Sequence, residues 1–186
     1  KLEHKNAIVL FRMGDFYETF LEDAIIASEV LGIVLTKRSN GKAADVPLSG
    51  FPYHTLDNYL PKLVNAGYRV AICEQTEDPA KAKGIVKREV VEVVTPGTLL
   101  SENSSNHKSN NFISSIYIAK ENTGFSILDT STGEFYLGEC NHDQLKERLL
   151  KYSPNEIVIP NNLIYSDKDW YLSIRPFVSH IEDWFF

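Results

Sequence analysis

Residues 11–20, FRMGDFYETF, decide how the first half of this chain is read. The run leading into them, NAIVLFRMG, is apolar and stops at Gly14, which reads as a buried strand. The next segment, DFYETFLEDAIIASEVLG, carries Phe16, Phe20, Ala24, Ala27 and Leu31 at spacings of three and four, with Gly32 as a C-terminal stop. That spacing predicts one helix over 15–32. Asp15 is then the N-cap and Glu18 the N3 partner of a capping box, in a first turn where the helix dipole favours acids. Two residues apart on a helix, Phe16 and Glu18 diverge by roughly 200°. The bland reading is a packed ring and a capping acid. The functional reading has the turn projecting, so that ring and acid are presented together. A planar ring can wedge between the base steps of a duplex, and a carboxyl group can bond an exposed base edge.

Outward from this stretch the elements alternate. IVLTKRS predicts a second strand closed by a turn at NGK. DVPLSGFPYH, broken by Pro47, Gly50 and Pro52, predicts a shaped loop rather than a regular element. TLDNYLPKLVNAG predicts a helix with Leu56, Tyr59, Leu60, Leu63 and Val64 on one side and Pro61 in its first turns. YRVAICEQ is a strand, DPAKAKG a short helical turn, and VKREVVEVVTPGT a long strand ended by Pro96 and Gly97. The polar run SENSSNHKSNN, residues 101–111, has no apolar period and reads as a linker. Beyond it, NFISSIYIAKENTGFSILDTSTGEFYLGEC predicts three strands with turns at Asn122–Gly124 and Thr132–Gly133. NHDQLKERLLKYS, an amphipathic helix carrying Leu145, Leu149 and Leu150, and the strand NEIVIP come next. The expectation is two small α/β domains: residues 1–100, a mixed sheet flanked by helices, and residues 112–186.

Composition sets limits on function. At 43% hydrophobic and 11% aromatic, 186 residues can fill real cores. No apolar run is long enough to cross a bilayer, and none reads as a signal peptide. The two cysteines, Cys73 and Cys140, look like ordinary strand residues, which favours a reducing, cytoplasmic setting. The net charge is −6, of which residues 1–100 contribute −1 and residues 101–186 contribute −5. Lys37, Arg38 and Lys42 cluster in one loop, and Lys81, Lys83, Lys87 and Arg88 in another. Each is readable as a solvated face, yet together they leave room for a phosphate-contacting surface on the first domain only. The chain starts without Met and ends in HIEDWFF, which reads as a piece of a longer protein.

The motifs of several enzyme classes are missing. There is neither a phosphate-binding G-x-x-x-x-G-K-[ST] loop nor a G-x-G-x-x-G turn, and no histidine stands at metal-ligand spacing. His54 is the one histidine in an unusual loop and reads as structural. In FSILDTSTGEF, Asp129 ends a strand before a tight hairpin, with Glu134 and Glu139 after it. A metal-dependent nuclease of ribonuclease H-like fold is the alternative this suggests, because two-metal chemistry needs converging carboxylates. The plainer account of Asp129 is a turn residue bonding local N–H groups.

FRMGDFYETF together with LTKRSNG, PLSGFPYHTLDNYLPKLVNAGYRVAICEQ and VVTPGT resembles the amino-terminal part of the MutS family of DNA mismatch repair proteins. The likeness runs in order through nearly all of residues 7–98. It implies a mismatch-recognition domain whose Phe-x-Glu motif falls on Phe16, Tyr17 and Glu18. Phe16 would stack on a mispaired or unpaired base and Glu18 would bond it, with Met13, Tyr17, Lys37, Arg38 and Leu48 as further DNA contacts. Leu48 stands where family members often carry Met-Ala. Residues 112–186 resemble, more loosely, the start of the family's ribonuclease H-like connector domain, which is non-enzymatic.

The implied ligand is double-stranded DNA with mismatches or small insertion/deletion loops, and the implied partner a MutL-type repair protein reached through the connector. The implied setting is the bacterial cytoplasm, with no membrane association. The resemblance also implies ATP, magnesium and a homodimer for the full-length family. For this piece it implies a monomer without cofactors, because the lever, clamp and ATPase domains lie outside it.

Overall fold

The computed structural model describes residues 4–39, 45–77, 84, 86–99, 110–119, 122–163 and 176–186, the side chain of residue 142 excepted. The expected turn at NGK, the helical turn at DPAKAKG apart from Gly84, Lys42, Lys81, Lys83 and nearly all of the expected linker lie outside these residues. The chain divides into two compact units, Lys1–Thr95 and Pro96–Phe186.

The first unit opens with a hairpin. Strand β1, Ala7–Met13, turns through Gly14 and Asp15 into β2, Phe16–Phe20, and only then does helix α1, Leu21–Leu31, begin. The helix expected from Asp15 therefore starts six residues later. The helical spacing from Phe16 competes with a two-residue alternation, and the alternation wins. Tyr17 and Thr19 are buried while Phe16, Glu18 and Phe20 are exposed or partly so. Gly14, at φ 60, supplies the left-handed first position of a two-residue loop, a form that matches the twist of paired strands. The apolar stripe holds from Ala24 onward, with Ala24, Ala27 and Leu31 buried.

Strand β3, Thr36–Arg38, precedes β4, Val46–Pro52. The segment expected as a shaped loop is thus a strand. Its prolines stand at the second and last positions, where a missing N–H removes little of the ladder. A 3₁₀ turn, Tyr53–Thr55, leads into α2, Leu56–Asn65, in which Pro61 is sixth and so lies in the helix interior rather than its first turn. Strands β5, Arg69–Gln75, and β6, Arg88–Val94, complete a sheet of order β3-β4-β2-β1-β5-β6. β1 and β5 run parallel and the other pairings are antiparallel.

Both helices cover one face of this sheet. Ser49 Oγ donates to the Ala24 carbonyl at 3.0 Å, and the Phe51 and Tyr59 rings lie 4.6 Å apart. Val9 N–H, beyond the reach of β2, donates instead to Asp23 Oδ2 at 3.1 Å, so α1 finishes the edge that the short strand leaves. The opposite face gathers Ala7, Val9, Ala71 and Cys73 with Phe11 and Val90.

In the second unit β7, Phe112–Ile118, β8, Thr123–Asp129, and β9, Phe135–Cys140, form an antiparallel meander. Its first turn is closed by Ala119 N–H donating to the Asn122 carbonyl at 3.0 Å, and Gly124, expected in the turn, belongs to β8. Helix α3, His142–Tyr152, begins in a reciprocal capping box between Asn141 and Gln144 and buries Leu145 and Leu149. Leu150, expected on the same stripe, is exposed. β10, Glu156–Pro160, pairs parallel with β7 and with β11, Phe177–Ile181, giving the order β11-β10-β7-β8-β9. Two small α/β units with mixed sheets are the expected class, and three antiparallel strands and then two parallel ones suit a ribonuclease H-like plan. Cys73 and Cys140 are both free and buried. Among the described residues no helix is long and apolar enough to cross a membrane.

Candidate nucleic-acid interface

The β1–β2 hairpin presents the motif differently from a helix. In a strand, residues two apart share a face and sit about 7 Å apart, so Phe16 and Glu18 point the same way instead of diverging. Phe16 pairs with Met13 on β1 and Pro52 on β4. Glu18 lies opposite Phe11 and Gly50, and Phe20 opposite Leu48. This face is the one the helices leave uncovered. Phe16 is 46% exposed at its end, which excludes the reading of Phe16 as core. Glu18 is no helix cap either. The α1 N-cap is Phe20, without a side-chain hydrogen bond, and the acids of the first turn are Glu22 and Asp23.

The tip is held from behind. Tyr53 N–H donates to the Asp15 carbonyl at 2.9 Å, and Arg12 Nε donates to the Gly14 carbonyl at 2.6 Å. The Arg12 guanidinium lies 3.5 Å from the centre of the Tyr53 ring. The Arg12 carbonyl accepts from Arg88 Nε at 3.0 Å and from Gln75 Nε2 at 3.4 Å. Tyr17 faces the helices, buried, with its hydroxyl donating to Glu74. Burial, then the hydrogen bond to Glu74 and its charge, push the Tyr17 hydroxyl well above the ordinary tyrosine range, against a smaller lowering by Arg12. The hydroxyl is a fixed donor at any working pH.

Glu18 is less settled. Among the described residues its Oε2 is buried and accepts no hydrogen bond, and its ion-pair partner is Arg38, with Nη1 at 3.7 Å. The Glu18 side chain keeps 23% of its surface and that of Arg38 keeps 50%. Gly50 lets the β2 backbone approach closely, with the acid in ordinary contact beside it. A Cβ there would stand 2.7 Å from the Tyr17 carbonyl oxygen and 3.4 Å from Glu18 Cγ.

The residues singled out from sequence separate by face. Register puts Met13, Phe16, Glu18, Arg38 and Leu48 on the uncovered face, because Thr36 pairs with Leu48 and Arg38 with Val46. Tyr17 and Lys37, the latter opposite Pro47, belong to the other face. In the second basic cluster Lys87 pairs with Glu89 at 2.6 Å and Arg88 bonds the Arg12 and Val86 carbonyls, so both cations have internal partners. His54 sits in the 3₁₀ turn with its ring edge-on to Tyr53. Arg12, Gly50 and Tyr53 are supports that sequence reasoning missed. For Gly50 and Tyr53 the broken pattern of PLSGFPYH is the only trace, and it points to a loop.

The family model of MutS domain I matches residues 1–103, and that of MutS domain II matches residues 111–186. The chain belongs to the MutS family. It is 52% identical over its whole length to the DNA mismatch repair protein MutS of Porphyromonas gingivalis, covering 21% of that protein. It is 50% identical over its whole length to the MutS of Parabacteroides distasonis, again covering 21%. Against the MutS of Flavobacterium psychrophilum it is 52% identical over 86% of the chain and 18% of the relative. The chain thus spans about a fifth of the length of the curated relatives it matches. The matched models are MutS domains I and II, and Phe16 and Glu18 stand in the first.

The nuclease alternative, which rested on Asp129 in the domain II match, finds no support. Asp129 is fully buried, and its Oδ1 accepts from Asn111 N at 3.2 Å, Ser131 N at 2.9 Å and Ser131 Oγ at 2.6 Å. Burial raises its pKa, but these bonds and one from Thr132 outweigh that, and the carboxyl is held below its ordinary value. It is a turn acid, committed to its own loop. Among the described residues no three His, Cys, Asp or Glu side chains gather as a metal site requires.

Proposed function

We propose that this chain is the mismatch-probing part of a DNA mismatch repair protein, with Phe16 as wedge and Glu18 as the acid that tests the base beside it. The observation that carries the reading is the exposed Phe16 ring at the tip of a hairpin paired on both sides, with Glu18 on the same uncovered face. A ring on an interior strand is backed by β1 and β4, so pushing it into a base stack costs little rearrangement of the protein. The cost falls on the DNA. A mismatched or unpaired step has already lost part of its pairing and stacking, so unstacking it is cheaper by about a few kcal/mol than unstacking a paired step. Glu18 adds an electrostatic test. A carboxylate brought among phosphates is repelled unless a base edge offers it a hydrogen bond.

The chain acts by binding, not by chemistry. The longer relatives, named as DNA mismatch repair proteins, support extending the reading to an intact protein that handles mismatches and small insertion/deletion loops in the bacterial cytoplasm. That protein would be a homodimer using ATP and magnesium outside this chain, with the second unit meeting a MutL-type partner. With net charge −6, this part alone should hold DNA weakly.

The test is a competition assay on the intact protein, wild type against Phe16→Ala, with mismatched and fully paired oligonucleotides at fixed salt. Loss of mismatch preference in a folded variant is the expected result. Unchanged preference sinks the wedge.

A further inference from the structure

Three features meet at Glu18. Among the described residues its Oε2 is buried and accepts no hydrogen bond, its ion-pair partner is the half-exposed Arg38 at 3.7 Å, and its neighbour across the sheet is a glycine. At 3.7 Å the two charges attract without forming a hydrogen bond, so the pair is held by Coulomb attraction alone. Half of the Arg38 side chain faces solvent on the edge strand β3, free to turn toward another anion on the same face. A guanidinium prefers a bidentate phosphate to a loose carboxylate contact, but leaving would strand a partly buried acid without a counter-charge. Arg38 therefore cannot serve phosphate and Glu18 equally well. What Glu18 contacts decides where Arg38 goes.

We propose that Arg38 is a specificity-determining cation held in reserve by Glu18, released to a DNA phosphate only when Glu18 is drawn onto a mispaired base. On paired DNA Glu18 finds no free base edge and keeps Arg38 as its counterion, so that phosphate contact is not made. On mismatched DNA the base takes over Glu18, and Arg38 adds one phosphate contact. The proposal rests on the reading of Glu18 as the base-testing acid. It turns one hydrogen bond into two coupled gains.

Salt dependence counts phosphate contacts directly, at about 0.9 in the slope of log K against log salt for each one in duplex DNA. The experiment measures that slope for the intact protein on a mismatched and a paired duplex of equal length. The proteins are wild type, Glu18→Gln, Arg38→Gln and the double variant. In wild type the slope should be steeper by about 0.9 on the mismatch. Glu18→Gln frees Arg38 everywhere, so its paired-duplex slope should rise to the mismatch value. Arg38→Gln should give the shallower slope on both duplexes, and the double variant should match Arg38→Gln. Equal wild-type slopes on the two duplexes overturn the proposal. So does an Arg38→Gln variant whose slope falls equally on both, since Arg38 is then a plain phosphate contact. Steepening by Glu18→Gln that persists without Arg38 also overturns it, because the acid then acts alone. The wedge is judged separately by Phe16→Ala. If that variant keeps its mismatch preference the proposed function fails, whereas additive Glu18 and Arg38 slopes beside a working wedge reject only the reserve cation.

Discussion

Two hairpins in this molecule each carry an acid near an aromatic residue, and they use the acid in opposite ways. In the β8–β9 hairpin, Asp129 is fully buried and its Oδ1 takes three donors from its own loop and from Asn111. In the β1–β2 hairpin, Glu18 is partly exposed, and among the described residues its Oε2 takes no hydrogen bond and its loose partner is Arg38. Asp129 also has one buried oxygen without a hydrogen bond, so a single unpaired atom does not separate them. What separates them is how much of the group is already bound. A carboxylate that ties several backbone donors is part of the scaffold, and one resting on a single weak contact can be recruited by a ligand at low cost.

Removing Asp129 should break this comparison most violently. Asp129→Ala leaves Asn111 N–H and Ser131 N–H without their acceptor, at a cost on the order of 3 kcal/mol. Urea denaturation of the chain should show that loss in the second unit, while the intact protein keeps its mismatch preference. A stable variant would mean the turn does not need the acid. Acid titration gives the same contrast another way. The folded Asp129 carboxyl lies below its ordinary value of 3.8, so its stabilisation is complete above that value and is lost as pH falls through the lower folded value. Asp129→Asn should remove this part of the acid sensitivity, and an unchanged stability-against-pH curve below pH ~4 would place its origin elsewhere.

Gly50→Ala probes the other hairpin at a smaller cost. The added Cβ would meet the Tyr17 carbonyl oxygen at 2.7 Å, so β2 or β4 must shift, at about 1–3 kcal/mol. Because a shift of β2 carries Glu18 with it, mismatch preference should fall several-fold while binding to paired DNA persists. If stability falls and preference does not, Gly50 serves only the sheet and Glu18 tolerates displacement.

Much of the fold was legible in the sequence, and the largest failures, those at β2 and β4, fall at one place; Pro61, Gly124 and Leu150 are local misreadings. Strands with long apolar runs, such as β1 and β5, and the helices with clear stripes were readable because their periods are unambiguous. FYETF was not, because Phe16 and Phe20 fit a helical spacing as well as a strand alternation. The arbiter is β4, whose register with β2 runs from Phe20–Leu48 to Phe16–Pro52. That pairing is long-range, and two prolines and a glycine disguise β4 as a loop. The candidate site residues stand out through the motif, but their common face does not, since on a helix they would have diverged. Arg38 as the partner of Glu18 depends on the β3–β4–β2 order, which no local pattern encodes.

Both hairpins turn on a left-handed glycine, Gly14 and Gly133, but the chain leaving β2 adds a second left-handed residue, and this gives the smallest effect. The β8–β9 loop uses Gly133, at φ 80, where no side chain resists. The β1–β2 hairpin runs into α1 through Leu21, at φ 58, a branched side chain in a conformation that costs it roughly 1 kcal/mol. Leu21 is also 61% exposed, so packing gives little return for the strain. Leu21→Asn, which tolerates this conformation better, should raise the unfolding free energy slightly, by up to about 1 kcal/mol. Mismatch binding should stay as it was, because the change alters the corner and leaves Phe16 and Glu18 in register. A more stable variant that binds mismatches less well would show that the Leu21 side chain itself contacts DNA. The strain at the end of β2 would then belong to the proposed binding surface beside Glu18, and the contrast with the relaxed β8–β9 loop would widen.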